Sequence, residues 1–98
     1  MELGDATYED FEACLNERFR LEVESPTELE LVSVEPRGGF EPSSQKRRAF
    51  ALLFRGPQAP VLSQRIYALS HDSLGRLDLF LVPVGPDHVG MLYEAVFT

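Results

Sequence analysis

Two histidine–aspartate neighbours, His71-Asp72 and Asp87-His88, have the residue types most able to do chemistry in this chain. Imidazoles backed by carboxylates bind zinc or pass protons. Both pairs fall in stretches that read as turns, Asp72-Ser73-Leu74-Gly75 and Gly85-Pro86-Asp87-His88-Val89-Gly90, where such side chains recur for local hydrogen bonding. No third ligand stands at a motif spacing, so no metal and no cofactor are expected. Cys14 is the single cysteine, which rules out an intrachain disulfide. It falls on the core face of a short helical pattern, and Glu9, Asp10, Glu12 and Glu17 around it would raise its pKa. It therefore reads as a core thiol and not a nucleophile. The chain has no Gly-x-Ser-x-Gly elbow, and Gly38-Gly39 lacks the Lys-Ser/Thr of a phosphate loop. No catalytic constellation emerges, and the expectation is a protein that is not an enzyme.

Charge points to a contact surface instead. The 98 residues carry a net charge of −7, unevenly spread. Residues 1–35 hold eleven acids against two bases, whereas residues 36–65 hold six bases against one acid. An acidic chain is a poor ligand for nucleic acid or for an anionic membrane, since both need a cationic surface. Lys46-Arg47-Arg48 is the run of like charge, and it follows a Gly/Pro/Ser-rich stretch that contains Arg37 and Phe40. Guanidinium and ammonium groups beside an exposed aromatic suit an anionic patch on a protein partner. Arg37, Phe40, Lys46, Arg47 and Arg48 are the candidate contact residues.

The elements that would position these residues announce themselves by a period of two. Phe19-Arg20-Leu21-Glu22-Val23 alternates apolar and polar side chains, and similar alternation recurs in Leu29-Glu30-Leu31, Leu77-Asp78-Leu79 and Met91 to Phe97. Such alternation marks half-buried antiparallel strands. The spacing predicts one short helix over about 7–16, capped by Thr7, and strands over about 18–24, 27–35, 48–55, 63–70, 76–82 and 91–97. The apolar positions change parity between Leu31 and Val32, which predicts a bulge, and Pro83 belongs at a strand end or bulge. Ala49 to Phe54 is apolar on both faces and reads as a central strand. The whole is one domain over 1–98: mainly β, a six-stranded antiparallel small barrel or sandwich with a short N-terminal helix.

Several segments together resemble a known family. They are Phe19-Arg20-Leu21, Leu52-Leu53-Phe54-Arg55-Gly56-Pro57, Tyr67-Ala68-Leu69-Ser70-His71 with Leu74-Gly75, and Leu79 to Gly85 with Tyr93 to Phe97. The chain is similar to a family of small, uncharacterised bacterial domains of about this length, and shares their Thr-x-x-Asp-Phe helix start. The resemblance implies the fold and carries over no catalytic residue. Members occur near phage-tail-collar-like proteins, which implies an accessory or assembly role.

The leading expectation is a non-enzymatic interaction or assembly module with a protein partner. The alternative is a small-ligand-binding β barrel, with a ligand held at the barrel mouth. The acidic N-terminus lacks the basic and apolar regions of a secretory signal, and no apolar run approaches the ~20 residues of a membrane span. A cytoplasmic location is expected on that basis.

Overall fold

The structure, a computed structural model, describes residues 6–23, 27–36 and 49–97. Its elements are α1 (Tyr8–Glu12), β1 (Arg18–Leu21), β2 (Thr27–Pro36), β3 (Phe50–Gly56), β4 (Arg65–His71), β5 (Gly75–Pro86) and β6 (Met91–Phe97). The six strands close into an antiparallel barrel in the order β1-β2-β3-β6-β5-β4. A closed barrel, and not a sandwich, is what the period-two pattern produced.

Alternation sets the two sides of the wall. Phe19 pairs with Leu29, Leu31 with Phe54, Phe54 with Tyr93 and Tyr67 with Leu79, all facing inward. Phe19, Leu29, Leu31, Phe54, Leu69 and Leu81 are completely buried, so these inner positions touch neither solvent nor a water-sized void. Burying a side chain of this size contributes roughly 1.5–3 kcal/mol, and that driving force fixes the strand register.

The helix is shorter than its sequence pattern. Thr7 and Asp10 form a capping box: the Thr7 hydroxyl accepts from Asp10 N at 3.2 Å, and the Asp10 carboxylate accepts from Thr7 N at 2.9 Å. Regular helix ends at Glu12, and Asn16 adopts a left-handed φ of 71°, which asparagine tolerates better than most residues. Cys14 and Leu15 still pack on the core from the turn that follows, so the apolar stripe outlasts the helix. Phe11 plugs one end of the barrel, with its ring centroid 5.8 Å from that of Phe50 and 5.3 Å from that of Phe97.

Two irregularities bend the wall. The β2–β3 register shifts between Leu31 and Ser33, which is where the parity change predicted a bulge. The β5–β6 register shifts between Pro83 and Gly85, and Gly85 has a φ of 115°. The strand expected to stop at 82 therefore runs on to Pro86, because a bulge absorbs the proline that would have ended it. β1 ends as a regular strand at Leu21, earlier than expected, and Val23 N turns back to Leu21 O at 3.1 Å. β1 and β4 close the barrel through two register pairs, Arg20 with Ser70 and Leu21 with Leu69, prolonged by a bond from Glu22 N to Ala68 O.

The segment between β3 and β4 crosses the other barrel end. Leu62 N donates to the Tyr93 hydroxyl at 2.8 Å, and the Tyr67 hydroxyl donates to Ser63 O at 2.7 Å. No helix among the described residues is long and apolar enough to cross a membrane.

Candidate functional site

β4 ends with His71 facing inward, so the residue expected in a turn is a buried one beneath it. Its ring stacks on Phe19 at 4.5 Å between centroids. Its Nδ1 accepts from the backbone N–H of Ser73 at 3.0 Å and of Leu74 at 3.2 Å. That double acceptance places the ring proton on Nε2, which donates to Glu17 Oε1 at 2.7 Å. The imidazole thus holds the β4–β5 turn with one nitrogen and the entry to β1 with the other. Glu17 is itself fixed through its backbone, with Leu31 N donating to Glu17 O at 3.0 Å.

Cys14 completes the cluster, its Sγ lying 4.0 Å from His71 Nδ1. Donor atoms of Cys14, Glu17 and His71 all come within 4.8 Å of one another. Thiol, carboxylate and imidazole are a zinc-like set, and a Cys–His–carboxylate line also resembles the arrangement of a thiol nucleophile. The wiring opposes both. A metal on Nε2 would displace its proton while Nδ1 is committed to two amide donors, forcing an imidazolate, and a metal on Nδ1 would displace those amides. The thiol donates to Asp10 O at 3.4 Å, and burial first, then the Glu17 carboxylate, then Asp10, push its pKa up. A thiol held protonated and buried is inert. The sequence located the acids near Cys14. It could not show that barrel closure carries His71 to the same place.

The other pair inverts the roles. Asp87 is the inner member and His88 is exposed. Asp87 Oδ1 accepts from Val89 N and Gly90 N, both at 2.8 Å, and Oδ2 takes a fork from Arg55 of β3, at 2.9 Å from Nε and 2.6 Å from the terminal nitrogen. Arg55 and these amides hold the Asp87 carboxyl well below the usual carboxylate range. Gly90 packs against Gly56 so closely that a Cβ there would run into the Gly56 carbonyl. His71 and Asp87 flank opposite ends of the twelve-residue β5, so the two pairs cannot share a ligand.

The outer wall divides into two halves. On β1 and β2 it is ionic: Arg18 stands opposite Glu30 and Arg20 opposite Glu28. On β4, β5 and β6 it carries Arg76 and Asp78, 3.7 Å apart, at the start of β5 and is mainly apolar beyond them. Ile66 and Phe80 are cross-strand partners and are 66% and 48% exposed, and Val96 on β6 is 54% exposed. Val82, Val84 and Leu92 extend this surface, Glu94 stands opposite Val82 within it, and Asp78 borders it beside Phe80. The expected central strand, β3, adds the half-buried Leu53 beside Glu94, while Ala51 beside Val96 is buried. The sequence contained this signal as apolar residues at outward positions of alternating strands. A shallow concavity also opens beside β1, lined by Arg18, Arg20, Thr27, Glu28 and Pro57. Its arginines are already paired, with Glu28 at 3.6 Å and Asp72 at 3.2 Å.

Arg37, Phe40, Lys46, Arg47 and Arg48, the contact residues expected from sequence, lie outside the described residues. Neither the curated proteins nor the solved structures contain a match to the chain. A family model does match: over residues 6–97 the chain fits the family described as Domain of unknown function (DUF6916). The chain belongs to that family.

Proposed function

We propose that the chain, as a member of this family, is a non-catalytic interaction module that engages a protein partner through the apolar half of its outer wall. One observation carries the reading: Ile66 and Phe80, directly opposed on neighbouring strands, remain largely in water although each could have been polar at no cost to the core. Contiguous apolar surface on a small domain marks a contact site. Buried aromatic and branched anchors supply most of the energy of such contacts. The inert wiring of Cys14, Glu17 and His71 supports the same reading. So does the filled inner wall, since a ligand inside the barrel would have to displace Phe19, Phe54 or Leu81. An accessory role in a larger assembly fits a module of this kind.

The test compares capture of proteins from source cells by immobilised wild type and by an Ile66→Lys, Phe80→Lys double variant. Both side chains point outward, so the variant should melt within a few degrees of wild type. Loss of the captured species from the variant is the expected result. Unchanged capture would overturn it. A Lys46→Glu, Arg47→Glu, Arg48→Glu variant that alone lost capture would move the interface to the basic segment.

A further inference from the structure

Resting on that reading, we infer that the partner of the apolar half-wall is a protein surface apolar at its centre and basic at its rim. The argument is one of charge placement. Phe80 stands opposite Ile66, and Val82 follows it on the same face of β5. Carboxylates border this set on both sides. Asp78 precedes Phe80 on that face, with its side chain 62% exposed. Across the wall, the exposed Glu35 of β2 stands opposite Ala51, and Ala51 opposite Val96. Glu94 lies on β6 between those strands, opposite Val82. The neighbouring bases are drawn elsewhere. Arg76 is shared by Asp78 at 3.7 Å and Glu22 at 3.9 Å. Arg65, beside Ile66, lies over the Tyr67 ring, 4.7 Å from its centroid.

Protein interfaces set apolar anchors at the centre and polar groups at the rim. Here the rim is acidic, on a chain whose net charge of −7 already repels acidic surfaces. A partner with lysine or arginine opposite Asp78 and Glu35 gains attraction at both places, and one with acids there meets repulsion at both. The stems of lysine and arginine also cover apolar surface while their charges reach outward. One such side chain can therefore lie along Val96 or Phe80 and end at a rim carboxylate. A contact made by Lys46-Arg47-Arg48 calls for a partner of the opposite sign, so the partner's charge tells the two surfaces apart. Attraction between exposed opposite charges is screened over about 8–10 Å at ordinary salt, so binding to the wall should weaken as salt rises.

The experiment selects displayed random peptides on the immobilised full chain, with counter-selection on the Ile66→Lys, Phe80→Lys double variant. The enriched sequences are expected to carry an apolar block flanked by Lys or Arg. An enriched peptide, made synthetically, should bind about tenfold more weakly to an Asp78→Lys, Glu35→Lys variant, and more weakly in high than in low sodium chloride. Both substituted positions are exposed, so that variant should fold as wild type does. The same charge change at the exposed Glu12 and Glu28, as Glu12→Lys, Glu28→Lys, should have a smaller effect, which separates rim contact from net charge. Enriched peptides that are acidic or uncharged overturn the inference, as does a loss of binding equal in the two charge variants. Its failure is separable from that of the interaction module. Wall-dependent peptides without bases remove the basic rim and keep the module, whereas selection that yields no wall-dependent peptide overturns both.

Discussion

The two ends of β5 present the same pair of residue types and use them in opposite ways. At the start, His71 is buried and Asp72 is in solvent, where it pairs with Arg20 at 3.2 Å. At the far end, Asp87 is the inner partner and His88 is the one in solvent. The inner member does the same work in both places, accepting two backbone N–H bonds of the adjacent hairpin and reaching to another strand or its lead-in: Glu17 before β1, Arg55 on β3. Residue type did not decide the role. The parity of the strand did, by choosing which side chain faced in, and hairpin amides then selected an acceptor: an imidazole nitrogen at one end, a carboxylate at the other.

The largest effect should come from breaking the histidine end. His71→Ala leaves the Ser73 and Leu74 amides without their acceptor and a void beside Phe19, which together cost roughly 2–4 kcal/mol. His71→Asn, whose side-chain oxygen can stand near the Nδ1 position, should recover part of that loss. A thiol reagent reports the same event. Cys14 should be almost unreactive in wild type and should label faster in His71→Ala, because the ring that covers it is gone. Equal stability and equal labelling would show that the buried ring is not the pin described above.

Asp87→Asn should rank second, with a pH signature of its own. The native Asp87 carboxyl titrates below its unfolded counterpart, so its ionised form is favoured by folding. Its contribution is therefore complete above the unfolded pKa of about 4 and is lost as pH falls toward the native value. Melting temperatures of wild type and Asp87→Asn should differ most above about pH 5 and converge in stronger acid. A constant gap across that range would mean that the Arg55 fork contributes nothing through charge. The outer members complete the series. Asp72→Ala should cost about 0–1 kcal/mol, as exposed ion pairs do, and His88→Ala should stay within about 0.5 kcal/mol. An Asp72 variant as damaging as the His71 variant would dissolve the contrast.

What the sequence showed follows this division. Strand positions and the inward-facing set were legible because alternation is local: Met91 to Phe97 matched throughout, and the parity break near Leu31 marked a real bulge. The helix was read too long because apolar residues keep their spacing through the Cys14–Leu15 turn, where hydrogen bonding has already changed. β5 was read too short because Pro83 is compatible either with a strand end or with a bulge, and no neighbouring residue separates them. The meeting of Glu17 with His71 was not legible at all. It depends on which strands close the barrel, a long-range fact that no spacing encodes, and the apolar half-wall became visible only once β4, β5 and β6 proved adjacent.

That closure has a consequence in time. Five of the six strand contacts join strands near in sequence or tied by long ladders, while β1 meets β4 across about fifty residues through two register pairs. Contacts so distant and so few are the last to be worth their loop entropy. The sheet should therefore assemble as a curled ribbon and shut late, with the seam at Leu21 and Leu69 the first to part in the native state. His71 and Glu17 stand beside that seam, so the buried imidazole is placed to clasp the closure as well as to support a turn.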